Sequence, residues 1–175
     1  MIDLHTTLRG RVWKFGDSVD SSQLSGGSHT SSDGGDNLKG TCLTSLRPEF
    51  SREVQPGDVL VAGDNFGCGS ARTSAVHALH ACGIAAVLAE SISRIYLRNS
   101  IALALPIFVV PGITKLAEDG DTLEINYTDG VVRNTKSGNT LPVARLPGSV
   151  EKIYQAGGIA QVIASELAAR GIVPD

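Results

Sequence analysis

Cysteine, aromatic residues and excess charge are all scarce in this chain. The three cysteines, Cys42, Cys68 and Cys82, are an odd count without metal-type pair spacing. Neither a disulfide framework nor a zinc ribbon is therefore expected, and a reduced, cytoplasmic compartment is the simplest setting. The net charge of −3 provides no basic face, which argues against nucleic acid as a partner. No apolar run approaches the length needed to span a bilayer, so no membrane association is expected. The opening MIDLHTTLRGRVWKF lacks the apolar core of a signal peptide. With 5% aromatic residues against 20 glycines, the chain is expected to make many turns and close backbone approaches.

What remains is the composition of an ordinary globular protein. The 175 residues are 42% hydrophobic and 19% charged, enough for one domain with a real core. We expect a single domain over residues 1–175, with β-rich ends around an α/β centre.

Residues 10–15 (GRVWKF) read as a first strand. Residues 18–40 are rich in Ser, Gly and Asp and have little to bury, so they read as a long mobile loop. The Pro-Gly-Asp turn at 56–58 leads into a strand over 59–62, and a glycine-punctuated loop follows over 63–70. A helix is predicted over 71–82, with Gly83 as its stop. Residues 84–89 (IAAVLA) form a continuous apolar run expected of a buried strand. Ser91 reads as the cap of a short helix to position 98, before another strand over 105–110. This alternation favours partly parallel α/β packing. Asp129-Gly130 marks a hairpin, and a second turn lies over 137–139. A helix is expected from Ser149 to Gly157-Gly158. Ile159, Val162, Ile163 and Leu167 then recur at helical spacing.

The loop over 67–72 delivers glycines and a serine to a helix start, where unpaired N–H groups and the positive dipole end favour an anion. Ser70 sits at or near the predicted N-cap and Arg72 falls in the first turn. Arginine is poorly suited to that dipole end, whereas a guanidinium binds a carboxylate in a bidentate fork. Two readings stand at this point: a carboxylate site, or a capping serine followed by a solvated arginine. A phosphate-binding P-loop would need Lys after its last glycine, and a dinucleotide fingerprint would need a glycine at position 72; neither is present. Cys68, just before the helix, is a candidate thiolate nucleophile or simply a small apolar filler. Zinc binding by Cys68, His77 and His80 lacks a fourth ligand and standard spacing, so no metal site is expected in this chain.

The stretches GRVWKFGDSVD and PGDVLVAGDNFGCGSARTSAVHALHACGIAAVLAESISRIYLRNSIALALPI resemble the small subunits of 3-isopropylmalate dehydratases, which are homologous to the swivelling domain of aconitase. GDTLEINYTDGVVRN, SGNTLPV and IYQAGGIAQVI follow in the family's usual order, so the resemblance covers nearly the whole chain. It implies a swivelling β/β/α fold, with a mixed central sheet flanked by helices and β-hairpins near the C-terminal end. It further implies a hydro-lyase of leucine biosynthesis that dehydrates and rehydrates a small hydroxy-di- or tricarboxylate, 3-isopropylmalate or a related acid. A large subunit would supply a [4Fe–4S] cluster, giving a heterodimer or heterotetramer. By the family's Gly-Ser-Ser-Arg motif, Ser70 would be the base, and Gly69, Ala71 and Arg72 would bind substrate.

The chain departs from the family pattern at three places. Ala71 stands where the motif has a second serine. Thr73 and Ser74 replace a Glu-His pair. After the first strand, Asp20-Ser21-Ser22 replaces Asp-Thr-Asp, so Ser22 occupies the position of an acidic residue that supports a histidine of the large subunit. The substrate-selecting loop here lacks arginine; Ser22, His29 and Lys39 are its candidate contacts. A non-catalytic, carboxylate-binding or regulatory paralogue is the alternative reading.

Overall fold

A computed structural model describes residues 7–26, 38–70 and 72–172. Its centre is a seven-stranded sheet. The strands are β1 (Leu8–Lys14), β2 (Val59–Ala62), β3 (Ala86–Ala89), β4 (Ile107–Val109), β5 (Thr122–Asn126), β6 (Val131–Asn134) and β7 (Thr140–Pro142). Their spatial order is β4-β3-β2-β1-β5-β6-β7. β1 to β4 run parallel, and β5, β6 and β7 continue the sheet antiparallel from the other side of β1. The helices are α1 (Ser21–Leu24), α2 (Leu38–Thr41), α3 (Phe50–Glu53), α4 (Thr73–Ala81), α5 (Arg94–Ala102), α6 (Ile113–Leu116), α7 (Gly148–Ala156) and α8 (Ile159–Ala169). This is the mixed α/β architecture expected.

The parallel strands are apolar on both faces because helices cover both, and the two-residue side-chain period sorts them into two cores. Trp13, Leu60, Ala62, Val87 and Ala89 face one way and pack with Phe50, Leu79 of α4 and Tyr96 of α5. Val12, Val59, Val61, Ala86 and Leu88 face the other way and pack with Ile113 of α6, Leu123 and Ile125 of β5, and Tyr154 of α7.

The turn from α3 into β2 is organised by Asp58. Its buried carboxylate accepts from Trp13 Nε1 at 2.7 Å, Arg11 Nη2 at 3.0 Å and the Gln55 N–H at 3.0 Å. The Arg11 and Arg47 guanidinium carbons lie 4.7 and 4.9 Å from the Trp13 ring centroid. A buried indole N–H is thus paired, and its π-system faces positive charge.

Several boundaries differ from the sequence reading. α4 begins at Thr73 with Arg72 as its N-cap, so Ser70 is not the cap and Arg72 is not in the first turn. The reason is Gly69: its left-handed backbone (φ +81°) prolongs the turn past Ser70. Ser91 does not cap α5; that position is Ser93, and the Ser91 hydroxyl instead accepts from the Asn65 N–H and donates to Asp64 Oδ1, both at 2.8 Å. Within the stretch read as a loop over 18–40, the described parts carry α1 and α2, and residues 27–37 lie outside the described residues. The apolar face of α8 is exposed, with Ile163 49% accessible.

Candidate active site

The loops that leave the C-terminal ends of β1, β2 and β3 converge. The Ser18 N–H bonds the Asp64 carbonyl at 2.7 Å, Gly67 N–H the Val19 carbonyl at 2.8 Å, and Ser21 N–H the Cys68 carbonyl at 2.9 Å. Phe66 N–H bonds the Ser91 carbonyl at 3.0 Å, and Ser93 N–H the Phe66 carbonyl at 2.9 Å. Ser18 and Asn65 both hold positive φ, at 54° and 57°. Left-handed backbone at non-glycine residues is costly and gathers at functional sites. Crevices at the carboxyl ends of parallel strands are where open α/β sheets bind ligands.

The glycines of the middle loop have steric roles. A methyl at Gly67 would fall on the ring of Tyr96, which packs edge-on to Phe66 beneath the turn. A methyl at Gly69 would fall on Oδ2 of Asp20. The two glycines therefore let the chain turn tightly over α5 and α1.

Ser70 and Arg72 are both exposed at the top of this turn, just before α4. Arg72 has extended backbone as the N-cap, and no side chain among the described residues caps the helix. Among the described residues Arg72 makes no ion pair. The first turn of α4 thus begins without a side-chain acceptor among the described residues, beside a guanidinium and a hydroxyl. Chemically, that arrangement suits a carboxylate.

The remaining candidates separate. Gly69 lies in the turn itself. Ser22 is exposed on α1 next to it, and its N–H donates to Asp20 Oδ1 at 2.7 Å. Lys39 belongs to α2, near Cys82 at the opposite end of α4 from Arg72; the Cys82 thiol pKa is lowered chiefly by its hydrogen bond with Cys42, with a smaller contribution from the Lys39 charge. Ala71 and His29 lie outside the described residues.

Cys68 does not have the environment of a nucleophile. Burial and the negative charge of Asp20 push its thiol pKa up, and its Sγ lies 3.5 Å from the Ser18 carbonyl oxygen and 4.0 Å from Asp20 Oδ2. A thiol enzyme would need the reverse shift. His80 contacts the Leu103 carbonyl at 2.9 Å, with its pKa lowered by burial. Among the described residues, no three His, Cys, Asp or Glu side chains gather in a way that could hold a metal ion. Nor is any helix among them long and apolar enough to cross a membrane.

Asp20 is the site residue that the sequence reading passed over. It is the N-cap of α1 and closes a capping box with Gln23, whose Oε1 accepts from the Asp20 N–H at 2.8 Å. The signal was available: Asp, two residues, Gln, then an apolar Leu24.

Comparison with known proteins identifies the family. The Aconitase C-terminal domain family matches residues 45–109. The chain is 41% identical over 163 residues to 3-isopropylmalate dehydratase small subunit 1 of Methanopyrus kandleri, covering 93% of this chain and 96% of that one. It is 36% identical to the isopropylmalate/citramalate isomerase small subunit of Methanocaldococcus jannaschii, over 94% and 98% of the two chains. The crystal structure of 3-isopropylmalate dehydratase from Methanocaldococcus jannaschii superposes with a TM-score of 0.86 at 32% identity, covering 95% of this chain and 98% of that one. The shared fold and the identity along almost the entire length place this chain in the 3-isopropylmalate dehydratase small-subunit family, the swivelling-domain branch of the aconitases.

Proposed function

We propose that Ser70 and Arg72 are the substrate-handling residues through which this small subunit of an aconitase-family hydro-lyase works. The observation that carries the reading is their joint exposure at the uncapped start of α4, on a turn held by the loops after β1 and β3. Ser70 Oγ takes the proton from the substrate carbon next to a carboxylate, and the hydroxyl group leaves the neighbouring carbon, forming the double bond. Rehydration runs the same steps in reverse. A serine hydroxyl is a weak base in water. The N–H groups at the start of α4, without a side-chain cap among the described residues, and the Arg72 guanidinium are the groups here that favour its alkoxide. Arg72 also clamps a substrate carboxylate through two parallel N–H···O bonds. Gly69, having no side chain, brings main chain to the ligand, and Ala71 stands where the family motif has a second serine.

The described residues do not supply a cluster site, since Cys42 and Cys82 are buried in the core and Cys68 stands alone by Asp20. The [4Fe–4S] cluster belongs, in this reading, to a large subunit, where it supplies Lewis-acid binding of the substrate hydroxyl and carboxylate. This chain caps that site as the swivelling half of a heteromer. The substrate is a hydroxy-dicarboxylate of the 3-isopropylmalate or citramalate type, and the setting is the cytoplasm. The test is turnover of 3-isopropylmalate and citramalate by this chain assembled with a cluster-bearing large subunit. Activity that disappears in Ser70→Ala supports the reading; binding of these acids to the isolated chain without any assembly or turnover favours a carboxylate-binding paralogue instead.

A further inference from the structure

We propose that Asp20 is a positioning residue for Ser70, with its carboxylate serving as the floor on which the Gly69–Ser70 turn rests. The inference depends on the reading of Ser70 as the base. Its basis is that one carboxylate meets two elements. It caps α1, with Oδ1 accepting the Ser22 N–H at 2.7 Å. It also lies against Gly69, where a methyl group would collide with Oδ2, the oxygen 4.0 Å from Cys68 Sγ.

The surroundings fix Asp20 rigidly. Its N–H donates to Gln23 Oε1 at 2.8 Å, and the next residue's N–H bonds the Cys68 carbonyl at 2.9 Å. Asp20 and Cys68 also form an isolated parallel bridge. The residue is therefore held by α1 on one side and placed under the catalytic turn on the other. Gly69 keeps left-handed backbone (φ +81°) directly over Oδ2, one residue before Ser70. An empty space at Oδ2 would let that turn sink and carry the Ser70 hydroxyl away from the substrate carbon.

A helix cap alone would be served equally by Ser, Asn or Asp, which rank closely at N-cap positions. Filling the space beneath Gly69 needs the longer, planar Asp or Asn side chain. Asp20→Ser therefore keeps the cap and removes the floor. Asp20→Asn keeps both, and also removes a negative charge that does not favour an alkoxide. Gly69→Ala presses on the same contact from above.

The experiment measures kcat and KM for 3-isopropylmalate and citramalate in the assembled heteromer, with Ser70→Ala as the control for the base itself. Asp20→Ser is expected to lose about ten-fold or more in kcat with KM little changed, because small misplacements of a reacting group are costly. Gly69→Ala gives the same kind of loss with Asp20 intact, and Asp20→Asn restores turnover. Thermal denaturation of the isolated chain should show the Ser and Asn variants equally folded. Wild-type kcat in both Asp20→Ser and Gly69→Ala, or equal losses in the Ser and Asn variants, would overturn the inference. Full activity in Ser70→Ala would instead remove the reading on which it rests.

Discussion

Arg72 shows how much one side chain decides. At the N-cap of α4 it has extended backbone, exposure and no ion pair among the described residues, so no fold requirement accounts for a guanidinium there. A planar two-point donor matches a carboxylate, and an ammonium does not. Arg72→Lys in the assembled heteromer should therefore raise KM by about ten-fold, the worth of one charge-assisted hydrogen bond, while leaving kcat much less affected. Equal KM in the two proteins would place the carboxylate elsewhere. The residue scale is also where sequence reading was least complete. Ser70 and Arg72 stand out as candidates because a glycine-rich turn before a helix start suits an anion, while the roles proposed for them come from the family resemblance. The contact between Asp20 and Gly69 was not legible, because it joins positions 49 residues apart and arises only when the loops after β1 and β2 meet.

At the scale of elements, apolar runs and turn residues carried most of the information. The strand at β2, the buried strand at β3, the Asp129-Gly130 hairpin between β5 and β6, and the Gly83 stop after α4 all follow from local pattern. The start of α4 was misplaced because Gly69 continues the turn. Ser91 was misread because its hydroxyl serves the loop of Asp64 and Asn65 rather than a helix end. The stretch before β2 looked featureless since capping residues are themselves Ser, Asp and Gln, the same letters that make a loop look solvated. Asp58 is the element-scale residue most open to test. Its carboxylate joins β1 to the turn before β2 through Trp13, Arg11 and Gln55. Asp58→Ala would leave the Trp13 N–H buried without an acceptor. The expected cost is about 2 kcal/mol or more in urea denaturation. A change within experimental error would show that water replaces the carboxylate.

The whole molecule is one continuous sheet with apolar cores on both faces, β1 at its centre contributing Trp13 to one and Val12 to the other. Such coupling predicts a single cooperative unfolding transition. Its acid limit follows from carboxylates whose ionised forms folding favours. Glu90 is lowered by hydrogen bonds from Thr114 and the Gly112 N–H, against the opposing effect of burial. Asp121 is lowered by the Glu118 N–H and by Asn134. These groups contribute fully above the ordinary carboxylate range near pH 4, and the contribution disappears as pH falls through their lower folded values. Urea midpoints should hold between about pH 7 and 5 and fall below about pH 4. A midpoint that is flat to the acid end, or two separated transitions, would contradict this description.

The most direct measurement of the central claim is turnover of 3-isopropylmalate and citramalate by the assembled heteromer carrying Ser70→Ala. Cluster content and subunit association are monitored in the same preparations. Loss of a general base predicts a fall in kcat of about 10²- to 10⁴-fold, with assembly and KM preserved. Undiminished kcat in a correctly assembled, cluster-loaded Ser70→Ala complex would contradict the assignment of Ser70 as the base.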